Sequence, residues 1–243
     1  MPGSRASATP SSSTEPLTGK PHLETLELEP PGPADASVIW MHGLGADAND
    51  FYGIAPQLGL PAELRVRFVF PNAPRIPVTI NGGLIMRAWY DVFGFDARDQ
   101  DEKRIRQSAG WIDELVAREA DRGVPARRIV LAGFSQGGAM ALFGGLRHPE
   151  ALAGLMCLSA YLPLPDTLAA EASAANRAVP IFQAHGTADP MVSADVGRRS
   201  RDLLSTAGYA VDYREYPMAH EVCFDEVRDI GAWLSAVLAG RDP

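Results

Sequence analysis

Five short runs of apolar, often β-branched residues constrain this chain more than anything else in it: SVIWMH (37–42), VRFVF (66–70), RIVLAG (128–133), GLMCLS (154–159) and VPIFQAH (179–185). A strand with one face in water alternates apolar and polar residues, so runs this short and this continuous predict strands covered on both faces. Helical patterns fill the intervals. The clearest covers 100–122, where Ile105, Ala109, Ile112, Val116 and Ala120 share one face, charged residues take the other, and Gly123 and Pro125 stop the helix. Doubly covered strands joined through helices predict an α/β fold: a mostly parallel central sheet with helices on both faces. The more polar, alternating segments 23–29 and 211–216 suit strands toward the sheet edges, and 222–238 reads as a closing amphipathic helix.

Length alone allows one large domain or two small ones among 243 residues. No repeat or long low-complexity linker divides the pattern, so a single domain over 21–243 is expected. Residues 1–20 are rich in Ser, Thr and Pro and poor in large apolar side chains, which predicts a disordered tail. With 22 Lys+Arg against 30 Asp+Glu the net charge is −8, which argues against nucleic-acid or anionic-lipid partners. Cys157 and Cys223 match no disulfide framework or paired zinc spacing, and no secretory signal opens the chain. A reducing, cytoplasmic location is expected. The uncharged stretch 129–146 holds Ser, Gln and five glycines, and reads as a buried strand and helix rather than a membrane span.

The chemistry centres on Gly133-Phe-Ser135-Gln-Gly137, a G-x-S-x-G pattern that is weak alone in a glycine-rich chain. Here an apolar strand enters and a helix leaves, the context of a nucleophile elbow; the alternative is a strand-to-helix turn with an N-capping serine. A serine hydroxyl needs a base, and the base needs an acid to hold its tautomer. Of five histidines, His22 borders the tail and His148 follows a helix, while His42 and His185 end strands in positions suited to orienting loops. His220 lies in YPMAHEV, in the loop after the last alternating strand, at the carboxyl edge of the sheet. In the chain order Ser, Asp, His, the candidate acids are Asp166, Asp189, Asp195, Asp202 and Asp212; Asp189 alone follows a buried strand directly. Two N–H donors for an oxyanion are expected from Leu44, in the Gly-Leu-Gly turn after the first apolar strand, and from Gln136, whose side chain is then expendable. That Gly-Leu-Gly turn lacks the surrounding pattern of a phosphate loop.

These stretches occur together and in order: HGLGAD, FVFPNAP…PVTINGG…AWYD, GFSQGG, HGTADPMV and YPMAHEV…DIGAWL. From residue 35 onward the chain resembles the phospholipase/carboxylesterase family of α/β-hydrolases, which includes acyl-protein thioesterases, and its phrasing is closest to the bacterial carboxylesterase branch. The resemblance implies a cofactor-free and metal-free serine esterase without a lid domain, often a homodimer, with Ser135, Asp189 and His220 as triad and Leu44 and Gln136 as oxyanion donors. The expected activity is hydrolysis of short- to medium-chain acyl esters; the alternatives are an acyl-protein thioesterase or lysophospholipase, and a non-catalytic binding protein on the same scaffold. A metal hydrolase using His42, His185 and His220 would lack the usual ligand spacing. Arg87-Ala88 stands where relatives carry Pro-Ser or Pro-Ala, and Cys223 replaces a common aliphatic residue. Ile80, Leu84, Ile85, Met86, Trp89 and Met191 read either as the wall of an acyl groove or as ordinary core, with Arg87 at the groove mouth opposing long apolar tails.

Overall fold

The computed structural model describes residues 23–94 and 100–239; the tail expected over 1–20 and His22 lie outside them. In chain order the strands are β1 (Thr25–Leu28), β2 (Ala36–Met41), β3 (Val66–Pro71), β4 (Arg75–Val78), β5 (Leu84–Arg87), β6 (Ile129–Phe134), β7 (Gly154–Leu158), β8 (Ile181–Gly186) and β9 (Val211–Tyr216). The α-helices are α1 (Glu102–Asp121), α2 (Gln136–Arg147), α3 (Leu168–Glu171), α4 (Ala194–Thr206) and α5 (Phe224–Ala239). Seven strands form one sheet in the order β1-β3-β2-β6-β7-β8-β9. Only β1 runs antiparallel to its neighbour. The two alternating segments do take the edges, where one strand side meets solvent.

All residues of β2, β3, β7 and β8 are buried, as continuous apolar runs require. One face packs on α1, α2 and α4 through residues such as Ile112, Met140, Leu142 and Leu204. The other lies under α5 and the segment 48–58, with Val227, Ile230 and Leu234 against Val38, Met156 and Phe182, and with Trp40 stacked on Phe51 at 4.8 Å between ring centroids. α1 starts at Asp101, whose side chain accepts the Arg104 N–H, and stops before Gly123, where φ is +92°. At the amino ends of the strands, fully buried Glu119 gathers the Ser37 hydroxyl (2.6 Å) and the guanidinium groups of Arg67 (2.8 Å) and Arg122 (2.9 Å), tying α1 to β2 and β3.

The chain runs from β2 to β3 on one side, then returns to place β6 on the other side of β2. The loops leaving β2 and β6 therefore diverge, and the crevice between them is where α/β sheets place their ligands. Between β3 and α1, β4 and β5 form a separate antiparallel hairpin with Val78 paired to Leu84. Its apolar side chains have no alternating pattern long enough to announce two four-residue strands.

Candidate active site

β6 ends at Phe134 and α2 begins at Gln136, leaving Ser135 to make the whole turn with φ 53° and ψ −121°. Such a backbone is strained for a residue with a Cβ and survives only where its surroundings dictate it. Here they do. The Ser135 N–H donates to Leu158 O on β7 at 2.8 Å. A Cβ at Gly137 would overlap the Met41 and His42 carbonyls, and one at Gly133 would overlap the Gly137 backbone, so only glycine lets α2 start this close to β2 and β6.

Asp189 lies three residues beyond β8. Its Oδ1 accepts the N–H groups of Met191 (2.8 Å) and Val192 (2.9 Å), which leaves Oδ2 aimed at His220 Nδ1, 2.7 Å away. The loop carrying His220 is fixed from below. Thr187 N–H donates to Tyr216 O at 2.8 Å and Ala188 N–H to Met218 O at 3.1 Å, and Gly186 lies so close to the Met218 and Ala219 carbonyls that a Cβ would strike both. The His220 ring rests 4.7 Å from the ring of Phe134, the residue before Ser135. With Nδ1 engaged, Nε2 is the nitrogen left for a hydroxyl. The Asp189 side chain is shut off from solvent. The other aspartates weighed as acids face water: Asp195, Asp202 and Asp212 pair with Arg198, Arg201 and Arg214, and Asp166 is exposed.

His42 and His185 orient loops. His42 donates Nδ1–H to Gly43 O (2.7 Å) and accepts Ala73 N–H at Nε2 (3.0 Å); burial holds its pKa below the usual imidazole range. His185 donates Nε2–H to Val192 O (2.7 Å) and lies 3.6 Å from Asp189 Oδ2, and burial likewise holds its pKa below the usual imidazole range. The three histidines weighed as metal ligands do not converge: among the described residues no group of three His, Cys, Asp or Glu is placed to hold a metal.

Beside His42, Gly45 N–H donates to Arg87 O at 2.8 Å and Ala46 N–H to Gly43 O at 3.2 Å. Leu44 N–H, just before them, has no backbone acceptor among the described residues. Gln136 N–H belongs to the first turn of α2, where N–H groups have no intrahelical partner and the helix dipole favours negative charge. Gly43 is in contact distance of Ser135, since a Cβ there would sit 3.4 Å from Ser135 Cβ. The turn that carries Leu44 and the start of α2 at Gln136 thus both adjoin Ser135.

Several expectations need correction. The Gln136 side chain is not idle: Oε1 accepts Trp89 N–H and Nε2 donates to Tyr90 O, both at 2.8 Å. Of the two readings open for Trp89 the structure takes the core one: it is 1% exposed, packs in the core, and donates Nε1–H to His42 O at 2.9 Å. Nor does Arg87 present a free charge at a groove mouth, because Nη1 donates to Ala73 O at 2.9 Å and Nη2 lies 4.0 Å from Glu24. Leu84, Ile85 and Met191 are each 62% exposed, which rules out the core reading for them. Ile80 and Met86 are half-buried, with Met86 near Gly45. Asp91, not singled out from the sequence, accepts both Thr79 N–H (2.7 Å) and Thr79 Oγ1–H (2.6 Å) and so anchors the hairpin's turn; such a carboxyl carries no motif.

A seven-stranded parallel-dominated sheet with a strained serine between β6 and α2, and a carboxylate and histidine on the loops after β8 and β9, defines an α/β-hydrolase. The chain belongs to the phospholipase/carboxylesterase family, whose sequence model matches residues 26–238. It is 41% identical over 210 residues to acyl-protein thioesterase 1 of Neurospora crassa, covering 82% of this chain and 86% of that protein. Among solved structures it resembles Arabidopsis thaliana SOBER1, with a TM-score of 0.79 and 28% identity over 84% of this chain and 99% of that one. It also resembles Zea mays acyl-protein thioesterase 2, with a TM-score of 0.77 and 28% identity over 88% and 99% of the two chains. Among the described residues no helix is long and apolar enough to cross a membrane.

Proposed function

We propose that the protein is a serine acyl hydrolase that cleaves acyl thioesters, with S-acylated cysteine of a protein as the substrate class, through an acyl-enzyme on Ser135. Ser135 Oγ attacks the acyl carbonyl while His220 Nε2 takes its proton and Asp189 steadies the imidazolium. The N–H groups of Leu44 and Gln136 stabilise the tetrahedral oxyanion. Collapse expels the thiol, which leaves with the proton from His220. Water, deprotonated in turn by His220, then attacks the acyl-enzyme and releases the carboxylic acid.

The observation that carries this reading is the His220–Asp189 contact of 2.7 Å beside the strained Ser135 elbow. The thioester preference rests on the acyl-protein thioesterase relative at 41% identity and on the exposed apolar side chains Leu84, Ile85 and Met191, which offer surface for a longer chain than the short- to medium-chain esters expected from the sequence. Each methylene they cover contributes about 0.8 kcal/mol. The test compares kcat/KM on an S-palmitoylated peptide with that on p-nitrophenyl esters of two to sixteen carbons. A thioester rate that grows with chain length supports the reading; a maximum at short oxyesters with negligible thioester turnover restores the carboxylesterase. Ser135→Ala should lower kcat by about 10⁶, and a fluorophosphonate that labels another residue instead would overturn the assignment.

A further inference from the structure

Ladder pairing between β2 and β6 ends at Met41 and Gly133. The two candidate oxyanion donors, Leu44 and Gln136, each stand three residues beyond that last pair, on loops that diverge from the switch point. Strand hydrogen bonds therefore do not set their separation. Beside the close packing of Gly137 on the Met41 and His42 carbonyls, a path of side chains ties the two loops together. The Gln136 carboxamide is buried and makes two bonds to one dipeptide, accepting Trp89 N–H and donating to Tyr90 O, each at 2.8 Å. The Trp89 indole then reaches across the crevice and donates Nε1–H to His42 O at 2.9 Å, two residues before Leu44. His42 cannot swing, because Gly43 O and Ala73 N–H hold both ring nitrogens. Trp89 is pinned by a third element, since Ser108 Oγ on α1 donates to Trp89 O at 2.5 Å, and Ala88 N–H beside it donates to Pro74 O at 3.0 Å.

We propose that the Gln136 carboxamide and the Trp89 indole form a brace that fixes the distance between the two oxyanion donors, making both positioning residues for the hydrolysis proposed above. The inference rests on that reading of the site. A donor pair acts only when its N–H groups already point where charge develops, and a small misplacement costs much of their effect. The brace supplies this with two buried side chains bonded to backbone groups. Loosening it should therefore leave ground-state binding nearly intact while weakening stabilisation of the tetrahedral state.

The variants are Gln136→Leu, which removes both amide bonds, Trp89→Phe, which keeps a ring but removes the Nε1 donor, and their combination. Rates are expressed per fluorophosphonate-titrated Ser135, so that misfolded protein drops out. Each single variant should lower kcat about 10- to 100-fold, the scale of one impaired oxyanion donor, with KM within about threefold. The inhibition constant of a trifluoromethyl ketone, which forms a tetrahedral adduct, should rise by the same factor as kcat falls. Because both side chains serve one path, the double variant should lose clearly less than the product of the single losses. Unimpaired kcat per titrated site in either variant, or fully multiplicative losses, overturns the brace. If Gln136→Leu does not fold, Gln136→Met joins Trp89→Phe under the same criteria. A wild-type protein whose Ser135 resists the fluorophosphonate and turns over no acyl substrate refutes the hydrolase reading and the brace with it; labelled wild type with an unimpaired variant refutes the brace alone.

Discussion

Glu226 should make the stability of this protein fall as pH rises through neutrality. Its carboxyl is fully buried in the first turn of α5, three residues after Cys223, and burial pushes its pKa up from 4.5 to about 8. Asp229 one turn on adds repulsion, while the Cys223 backbone N–H pulls the other way; neither carboxyl oxygen has a hydrogen-bond partner of normal geometry among the described residues. The folded state thus keeps a proton that the unfolded chain has lost, and folding weakens with pH wherever the native state binds more protons. Stability contributed by the neutral carboxyl is complete below about pH 4.5, declines between 4.5 and about 8, and is gone above that. The interval of about 3.5 pH units corresponds to a ceiling on the order of 5 kcal/mol, lowered in practice because the site relaxes and admits water when the group ionises. Glu226→Gln keeps the shape and is neutral at every pH. Urea unfolding followed by far-ultraviolet circular dichroism at pH 5, 6, 7 and 8 should show variant and wild type nearly equal at pH 5. By pH 8 the variant should lead by a few kcal/mol, with a slope difference approaching 1.4 kcal/mol per pH unit. The difference between the two curves cancels every other titrating group. A difference that stays flat over this range, or a wild type that gains on the variant as pH rises, would refute the argument that an unpaired buried carboxyl governs the slope.

Gly137→Ala should prevent soluble folding or cost several kcal/mol by driving a Cβ into the Met41 and His42 carbonyls. Gly144→Ala on the same helix meets nothing within 4 Å and should stabilise by about 0.5–1 kcal/mol in thermal unfolding. Asp189→Asn should reduce kcat by up to about 10⁴ through loss of tautomer control. Asp195→Asn, which only breaks an exposed pair with Arg198, should leave steady-state kinetics unchanged; reversed behaviour would reassign the acid. Replacing exposed Leu84 and Ile85 by Ser should move stability by less than about 0.5 kcal/mol each, yet raise KM for long acyl chains more than for acetyl esters in a chain-length series.

The order of strands and helices was legible in the sequence because doubly buried strands and amphipathic helices leave distinct periodicities, and the polar alternation of 23–29 and 211–216 already placed β1 and β9 at the edges. Ser135, Asp189 and His220 were singled out on the same local grounds: each sits where a strand gives way to a loop or helix, and their chain order narrows the choice of acid. What the sequence could not carry were contacts whose partners share no local pattern. The β4–β5 hairpin is not legible because four-residue strands show too little alternation to be seen. The sequence leaves Trp89 open between groove and core and sets Arg87 at a groove mouth, because an aromatic and a cation after an apolar stretch look the same whether they face a ligand or a distant carbonyl. The Gln136 amide was thought expendable because its backbone already had a role, and nothing in GFSQGG announces Trp89 and Tyr90, 47 and 46 residues earlier, as partners. Periodicity reports which face of an element is buried. Only the tertiary structure decides which polar groups meet across that buried face, because such hydrogen bonds depend on the crossing of elements far apart in the chain.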